Sequence, residues 1–316
     1  CMRAYYADHF VLPLPEGHRF PMIKYRMLRD RLRAELPQVT LCEAPPASEG
    51  ELALAHAPGY IAAVLGGTLD AARQREIGFP WSPAMAERAR RSVGGTVAAA
   101  RDALREGVAA NLAGGTHHAS AEAGGGFCVF NDLAVAARLM QAEWFRTHRR
   151  PLRVAIIDLD VHQGNGTAAI FRDDPSVHTL SMHGERNFPF RKVPSDLDVG
   201  LPDGCTDAAY LAALDGALAH LWAAHRDAPP GLVLYQAGVD AHEGDRLGRL
   251  RLTAAGLAER DRRVFAACRE RGIPVVLTMG GGYGHDLAVT VDLQVRTYCE
   301  ALENWQPDPR AGWQPR

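Results

Sequence analysis

The stretch V-A-I-I-D-L-D-V-H-Q-G-N-G, Val154 to Gly166, is an apolar run that ends in Asp158, Asp160 and His162 and then breaks on Gly164 and Gly166. Val154 to Ile157 suits a parallel strand covered on both faces, which reads as a near-continuous hydrophobic run. Two carboxylates and an imidazole directly after such a strand need partners. Alternate residues of an extended chain share a face and lie roughly 6.6 Å apart, so Asp160 and His162 can aim an oxygen and a nitrogen at one ion. Zinc accepts such donors and, in catalytic sites, takes three protein ligands and leaves a fourth position open. The third ligand has to come from elsewhere in the chain.

Outward from this strand the same pattern recurs. Upstream, Met2 to Tyr6 and Val39 to Glu43 read as strands, and Met22 to Leu36 reads as a helix. That helix puts Tyr25, Leu28, Leu32 and Leu36 on one face and Arg26, Arg29 and Arg33 on a solvated one. Ser82-Pro83 is an N-cap and N1 pair for a helix to about Glu106, stopped by Gly107, although Gly94-Gly95 weakens its continuity. Val108 to Ala113 is a strand that empties into G-G-T-H-H, and a helix from about Asn131 to His148 leads to the central strand. Downstream follow a strand Val177 to Ser181, a helix Thr206 to Arg226, a strand Leu232 to Gln236 ending near Asp240, a helix Thr253 to Arg271, and a strand Pro274 to Met279 ending in G-G-G-Y. Alternating strands and helices imply a mainly parallel, doubly wound α/β sheet with helices on both faces. Its ligand cleft is expected at the C-terminal edge of the strands, where His117, His118, Asp158, Asp160, His162, Asp240 and Tyr283 all follow strand ends.

Composition narrows the function. The 316 residues contain no linker-like run, so residues 1–316 are expected to form one domain. A formal charge of -2 without a basic stripe gives no electrostatic case for nucleic acid or an anionic membrane. Cys1, Cys42, Cys128, Cys205, Cys268 and Cys299 include no C-x-x-C pair, which speaks against a disulfide framework and against a thiolate zinc site. No stretch reads as a signal peptide or membrane span, and a reducing cytoplasm is the expected compartment.

On five motifs the chain resembles the histone deacetylase family of the arginase/deacetylase fold: G-G-T-H-H-A at Gly114 to Ala119, G-G-G-F-C-V-F-N-D at Gly124 to Asp132, D-L-D-V-H-Q-G-N-G at Asp158 to Gly166, A-G-V-D at Ala237 to Asp240, and G-G-G-Y at Gly280 to Tyr283. H-Q-G-N-G and E-G-D-R-L-G, Glu243 to Gly248, are most similar to the class IV branch and its bacterial relatives. The resemblance implies one zinc held by Asp160, His162 and Asp240, with His117 and His118 acting on the water it activates and Tyr283 donating to the substrate carbonyl. Asp158 would back His117. Asn165 stands where many class I members have an aspartate, and an amide raises a histidine's pKa less than a carboxylate does. His118 is therefore expected to rest neutral as the base, with His117 the more cationic partner. The resemblance also implies a potassium ion at Asp158, Asp160, His162, Ser181 and Met182, groups that serve equally as ordinary polar strand ends.

The implied substrate is an acyl-lysine protein or peptide, its aliphatic stem passing Phe127 and Phe188 beside Gly126. Removal of long acyl groups is implied by the class IV likeness. Three rivals stand beside this reading. A binuclear ureohydrolase of the same fold needs an aspartate where Gly164 stands. An acetylpolyamine hydrolase needs a carboxylate at the tunnel mouth, and the position seven residues after Asp240, where polyamine-selective relatives carry a glutamate, is Leu247; Glu243 and Asp245 are alternative sources of that charge. A non-catalytic acyl-lysine binder has no use for Tyr283 and the histidine pair.

Overall fold

Eight strands form one sheet in which every neighbouring pair runs parallel, in the order β2-β1-β3-β8-β7-β4-β5-β6. The computed structural model describes residues 1–305; the last eleven residues assigned to the domain, 306–316, lie outside the described part. In chain order the elements are β1 (Met2–Tyr6), α1 (Lys24–Glu35), β2 (Val39–Glu43), α2 (Glu49–Leu52), α3 (Pro58–Gly66), α4 (Ala71–Ile77), α5 (Pro83–Glu106), β3 (Val108–Asn111), α6 (Asp132–His148), β4 (Val154–Asp158), α7 (Asn165–Ile170), β5 (Val177–Gly184), β6 (Leu197–Leu201), α8 (Asp207–Ala224), β7 (Leu232–Gln236), α9 (Ala254–Glu270), β8 (Val275–Thr278) and α10 (Leu287–Trp305).

The alternation of side chains along the strands builds two cores. Ala155 and Ile157 of β4, Val233 and Tyr235 of β7, and Val275 and Leu277 of β8 face one core, shared with α1, α8, α9 and α10. Val154, Ile156, Leu232, Leu234 and Val276 face the other, shared with α3, α5 and α6. Period-two packing on both faces is why these strands are apolar throughout.

Local signals place the helix ends. Ser82 Oγ accepts from Met85 N at 3.0 Å and Pro83 opens α5, and Asn131 Oδ1 accepts from Ala134 N at 3.0 Å at the start of α6. α5 runs unbroken through Gly94-Gly95. A Cβ on Gly94 would lie 1.7 Å from the Pro45 carbonyl oxygen, so the pair lets this helix pack onto its neighbours rather than interrupting it.

The structure differs from the sequence reading in several places. β6, α10 and the short helices α2, α3, α4 and α7 were not anticipated, and β5 continues to Gly184. β6 alternates half-buried and exposed residues at the sheet edge and lacks the apolar run of an inner strand. Arg29 is not a solvated residue: it pairs with Asp8 at 2.9 Å and lies over the Tyr6 ring at 4.6 Å, whereas Arg26 and Arg33 are exposed.

Candidate active site

The four central strands β3, β8, β7 and β4 each end in a turn that carries polar side chains to one edge: His117 and His118 after β3, Tyr283 after β8, Asp240 after β7, Asp160 and His162 after β4. Bonds between these turns fix their relative positions. Val161 N donates to Asp240 Oδ1 at 2.9 Å, Gly281 N to Asp160 Oδ2 at 2.7 Å, and Leu159 N to Gln236 O at 3.0 Å. Asp132 at the start of α6 accepts from Gly115 N and Thr116 N, both at 2.9 Å, and so secures the loop bearing the two histidines. This accounts for the N-D pair: Asn131 caps the helix and Asp132 holds the loop.

One donor atom from each of Asp160, His162 and Asp240 lies within 4.8 Å of the other two, and all three residues are buried. His162 Nδ1 is 3.1 Å from Asp160 Oδ1 and 3.2 Å from Asp240 Oδ2. The second contact lacks hydrogen-bond geometry and leaves Asp240 Oδ2 a buried oxygen without a donor. Burial, then the charge of Asp160, push the Asp240 carboxyl up. Burial also opposes charge on His162, yet Asp160 and Asp240 raise it to about 10. A buried carboxylate oxygen without a donor, beside a second carboxylate and an imidazole, is a place that a cation would satisfy. Its O, N, O donor set fits zinc with an open position.

The two histidines differ in their partners. Both are buried, at 3% and 8% exposure. His117 Nδ1 is 2.5 Å from Asp158 Oδ2, and although burial lowers its pKa, Asp158 and Asp160 raise it above the ordinary value. His118 Nδ1 is 2.7 Å from Asn165 Oδ1; burial, His117 and His162 hold its pKa well below 6.5. A carbonyl oxygen only accepts, so Nδ1 of His118 carries the hydrogen and Nε2 keeps a free lone pair. Burial raises the Tyr283 phenol well above 10, which keeps its proton available for donation.

An open cavity of about 510 Å3 leads to this edge, lined by Gly126, Phe127, Phe188, Leu247, His118, His162 and Tyr283 among others. All four residues expected to meet substrate therefore lie along it. Gly126 has φ +49°, and a Cβ there would stand 2.7 Å from the His118 ring and 2.9 Å from the Phe188 ring, closing the space between them. Phe127 adopts φ 66°, a left-handed conformation that costs about 1–3 kcal/mol for a non-glycine residue. Stacking on Phe79 and contact with Phe20, at centroid distances of 5.4 and 5.3 Å, hold it there. Asp245 is not among the lining residues, and its oxygens accept from Leu247 N, Gly248 N and Tyr283 N at 3.0, 2.8 and 2.7 Å. Glu243 is not among the lining residues. Ser181 stands opposite Asp158 in the β4–β5 register, and the potassium set of Asp158, Asp160, His162, Ser181 and Met182 is buried throughout.

Two supporting residues escaped the sequence reading. Lys24 is 1% exposed and donates Nζ to Gly282 O at 3.1 Å, tying α1 to the tyrosine turn. Arg260 is fully buried; its Nη1 donates to Gly238 O at 2.7 Å and Leu159 O at 3.3 Å, behind Asp240 and Asp160. Nothing in a helical pattern separates a buried arginine from a surface one. The adjacent Arg260-Asp261 pair was the one available hint.

Residues 18–297 match the family described as histone deacetylase domain. An uncharacterized protein of Picosynechococcus is 47% identical over 89% of this chain and 93% of its own length. Histone deacetylase 2 of Arabidopsis thaliana is 39% identical over 68% of this chain but 52% of its own, so the chain spans about half of that relative. A solved structure of an HDAC homolog from Aquifex aeolicus superposes with a TM-score of 0.77 at 23% identity, covering 99% of this chain and 90% of that one, and has the same fold.

Proposed function

Since the chain belongs to the histone deacetylase domain family, we propose that it is a zinc-dependent hydrolase removing acetyl or longer acyl groups from the side-chain amine of lysine. The observation that carries this reading is the convergence of Asp160, His162 and Asp240 within 4.8 Å, beside His118 and Tyr283, at the inner end of an aromatic-lined cavity. Zinc held by those three residues would lower the pKa of water toward 7 and polarise a carbonyl. His118 takes the proton of the attacking water on Nε2 and returns it to the leaving lysine amine. His117, paired with Asp158, supplies positive charge beside it. The Tyr283 hydroxyl donates to the carbonyl oxygen as negative charge develops there.

The neutral stem of lysine runs between Phe127 and Phe188, and Leu247 adds apolar contact without charge. That gate, with neither Asp245 nor Glu243 on the cavity lining, favours acyl-lysine over an acetylated polyamine. A potassium ion at Asp158, Asp160, His162, Ser181 and Met182 would brace the turn after β4, and the class IV likeness and a reducing cytoplasmic setting complete the reading. All six cysteines are free. No helix among the described residues is long and apolar enough to cross a membrane.

The test combines metal analysis with turnover. One zinc per chain, lost in His162→Ala, is expected, together with kcat/KM for acyl-lysine peptides above that for acetylspermidine or acetylputrescine. Two tightly bound manganese ions, or a tenfold preference for the polyamines, would overturn the assignment.

A further inference from the structure

The opening of the cavity is charged differently from the chain around it. Its exposed ionisable lining residues are Arg19, Arg186, Arg249 and Glu76, three guanidinium groups to one carboxylate, in a chain of formal charge -2. Arg249 shares its charge with Asp203, Nη1 to Oδ2 at 3.2 Å. Among the described residues no ion pair takes up Arg19 or Arg186. Of the acidic side chains closest in sequence to Leu247, neither Asp245 nor Glu243 is among the lining residues, and no ion pair among the described residues joins either to Arg19 or Arg186.

These arginines sit on a built frame. Asn187, 3% exposed, donates Nδ2 to Leu247 O at 2.8 Å and accepts from Arg249 N at 3.2 Å. It thereby ties the loop of Arg186 to the loop of Arg249. On the N-terminal segment Arg19 lies between His18, whose Nε2 is 2.7 Å from Gly78 O, and the buried Phe20. Beside them Phe190 is 83% exposed. The rim thus presents positive charge and an aromatic face from separate segments of chain, around a passage flanked by Phe127, Phe188 and Leu247.

We propose that this rim selects acyl-lysines set among acidic residues, with Arg19, Arg186 and Arg249 meeting aspartate or glutamate side chains that flank the modified lysine. The inference rests on the lysine-deacylase reading above and narrows its substrate class. A cleft mouth with an excess of one sign of charge raises the encounter rate with oppositely charged partners and disfavours like-charged ones. The same field opposes a polycation.

The experiment compares kcat/KM for acetyl-lysine peptides of one length whose flanking positions are glutamate, glutamine or lysine, using the zinc-loaded protein at low and high salt. The glutamate peptide should exceed the lysine peptide by on the order of tenfold at low salt, and the ratio should shrink as salt screens the rim. In the Arg19→Glu, Arg186→Glu double variant the ratio should fall below one. Both side chains are exposed, so the substitutions spare the core, and the wild-type ratio is decisive without them. Equal turnover of the three peptides, or preference for lysine flanks, overturns the rim proposal and leaves the deacylase reading standing. Failure to turn over any acyl-lysine peptide overturns both.

Discussion

Asn165→Asp tests the division of labour between the histidines, and the molecule contains its own control. His117 and His118 are comparably buried neighbours that each point Nδ1 at a side-chain oxygen, at 2.5 and 2.7 Å. They differ in what that oxygen belongs to: beside the Asp158 carboxylate His117 lies above the ordinary value, and beside the Asn165 amide His118 lies well below it. Asparagine to aspartate preserves shape and changes charge. An adjacent opposite charge is worth about 1–3 pKa units, or roughly 1.4–4 kcal/mol in favour of the imidazolium. A base works only when unprotonated, so activity is lost as pH falls through its pKa. The wild-type kcat/KM profile should hold its plateau well into acid. In the variant the acid limb should move upward by about 1–3 pH units, with activity recovered on the alkaline side and metal content unchanged. The measurement is kcat/KM for one acetyl-lysine peptide across pH, with metal determined on the same samples. An acid limb that stays in place would show that His118 is not the group whose deprotonation turnover requires.

Tyr283→Phe should keep metal and substrate affinity and lower kcat on the order of a hundredfold, the usual effect of deleting an oxyanion donor; wild-type kcat would remove the tyrosine from the chemistry. Arg260→Met should destabilise the protein by about 3–5 kcal/mol in urea unfolding, because Asp261 and the Leu159 and Gly238 carbonyls lose a buried cationic partner. A loss below about 1 kcal/mol would mean that these groups find other partners. His56, 3% exposed, accepts from Asn131 N at 2.9 Å, and burial lowers it from 6.5 to about 4. Between those values the unfolded chain binds the proton and the folded one refuses it, so stability falls as pH drops, by roughly 2 kcal/mol between pH 7 and pH 5 for this group. His56→Gln should lose correspondingly less over that interval, and an unchanged pH dependence would assign the acid sensitivity to other residues.

What the chain order alone determined is local. Apolar runs marked the inner strands because both faces of a parallel sheet are covered, and Ser82-Pro83, Asn131 and Thr253 marked helix starts because the first turn of any helix leaves backbone donors that such residues satisfy. The site residues were legible for the same reason: a polar side chain directly after a buried strand has to be accounted for, and seven of them ended up along one edge. Tertiary structure decided everything that depends on which segments become neighbours. Only the order β3-β8-β7-β4 brings Asp240 beside His162 and Tyr283 beside both. Edge strand β6 escaped notice because burial on one side leaves no continuous apolar run. Gly94 reads as a helix breaker until Pro45 is packed against it, and nothing in a helical pattern marks Lys24 and Arg260 as buried until the carbonyls of Gly282, Leu159 and Gly238 meet them. The charge of the mouth is of this kind too, since Arg19, Arg186 and Arg249 are separated by well over fifty residues at each step and converge only once the loops are folded onto the sheet edge.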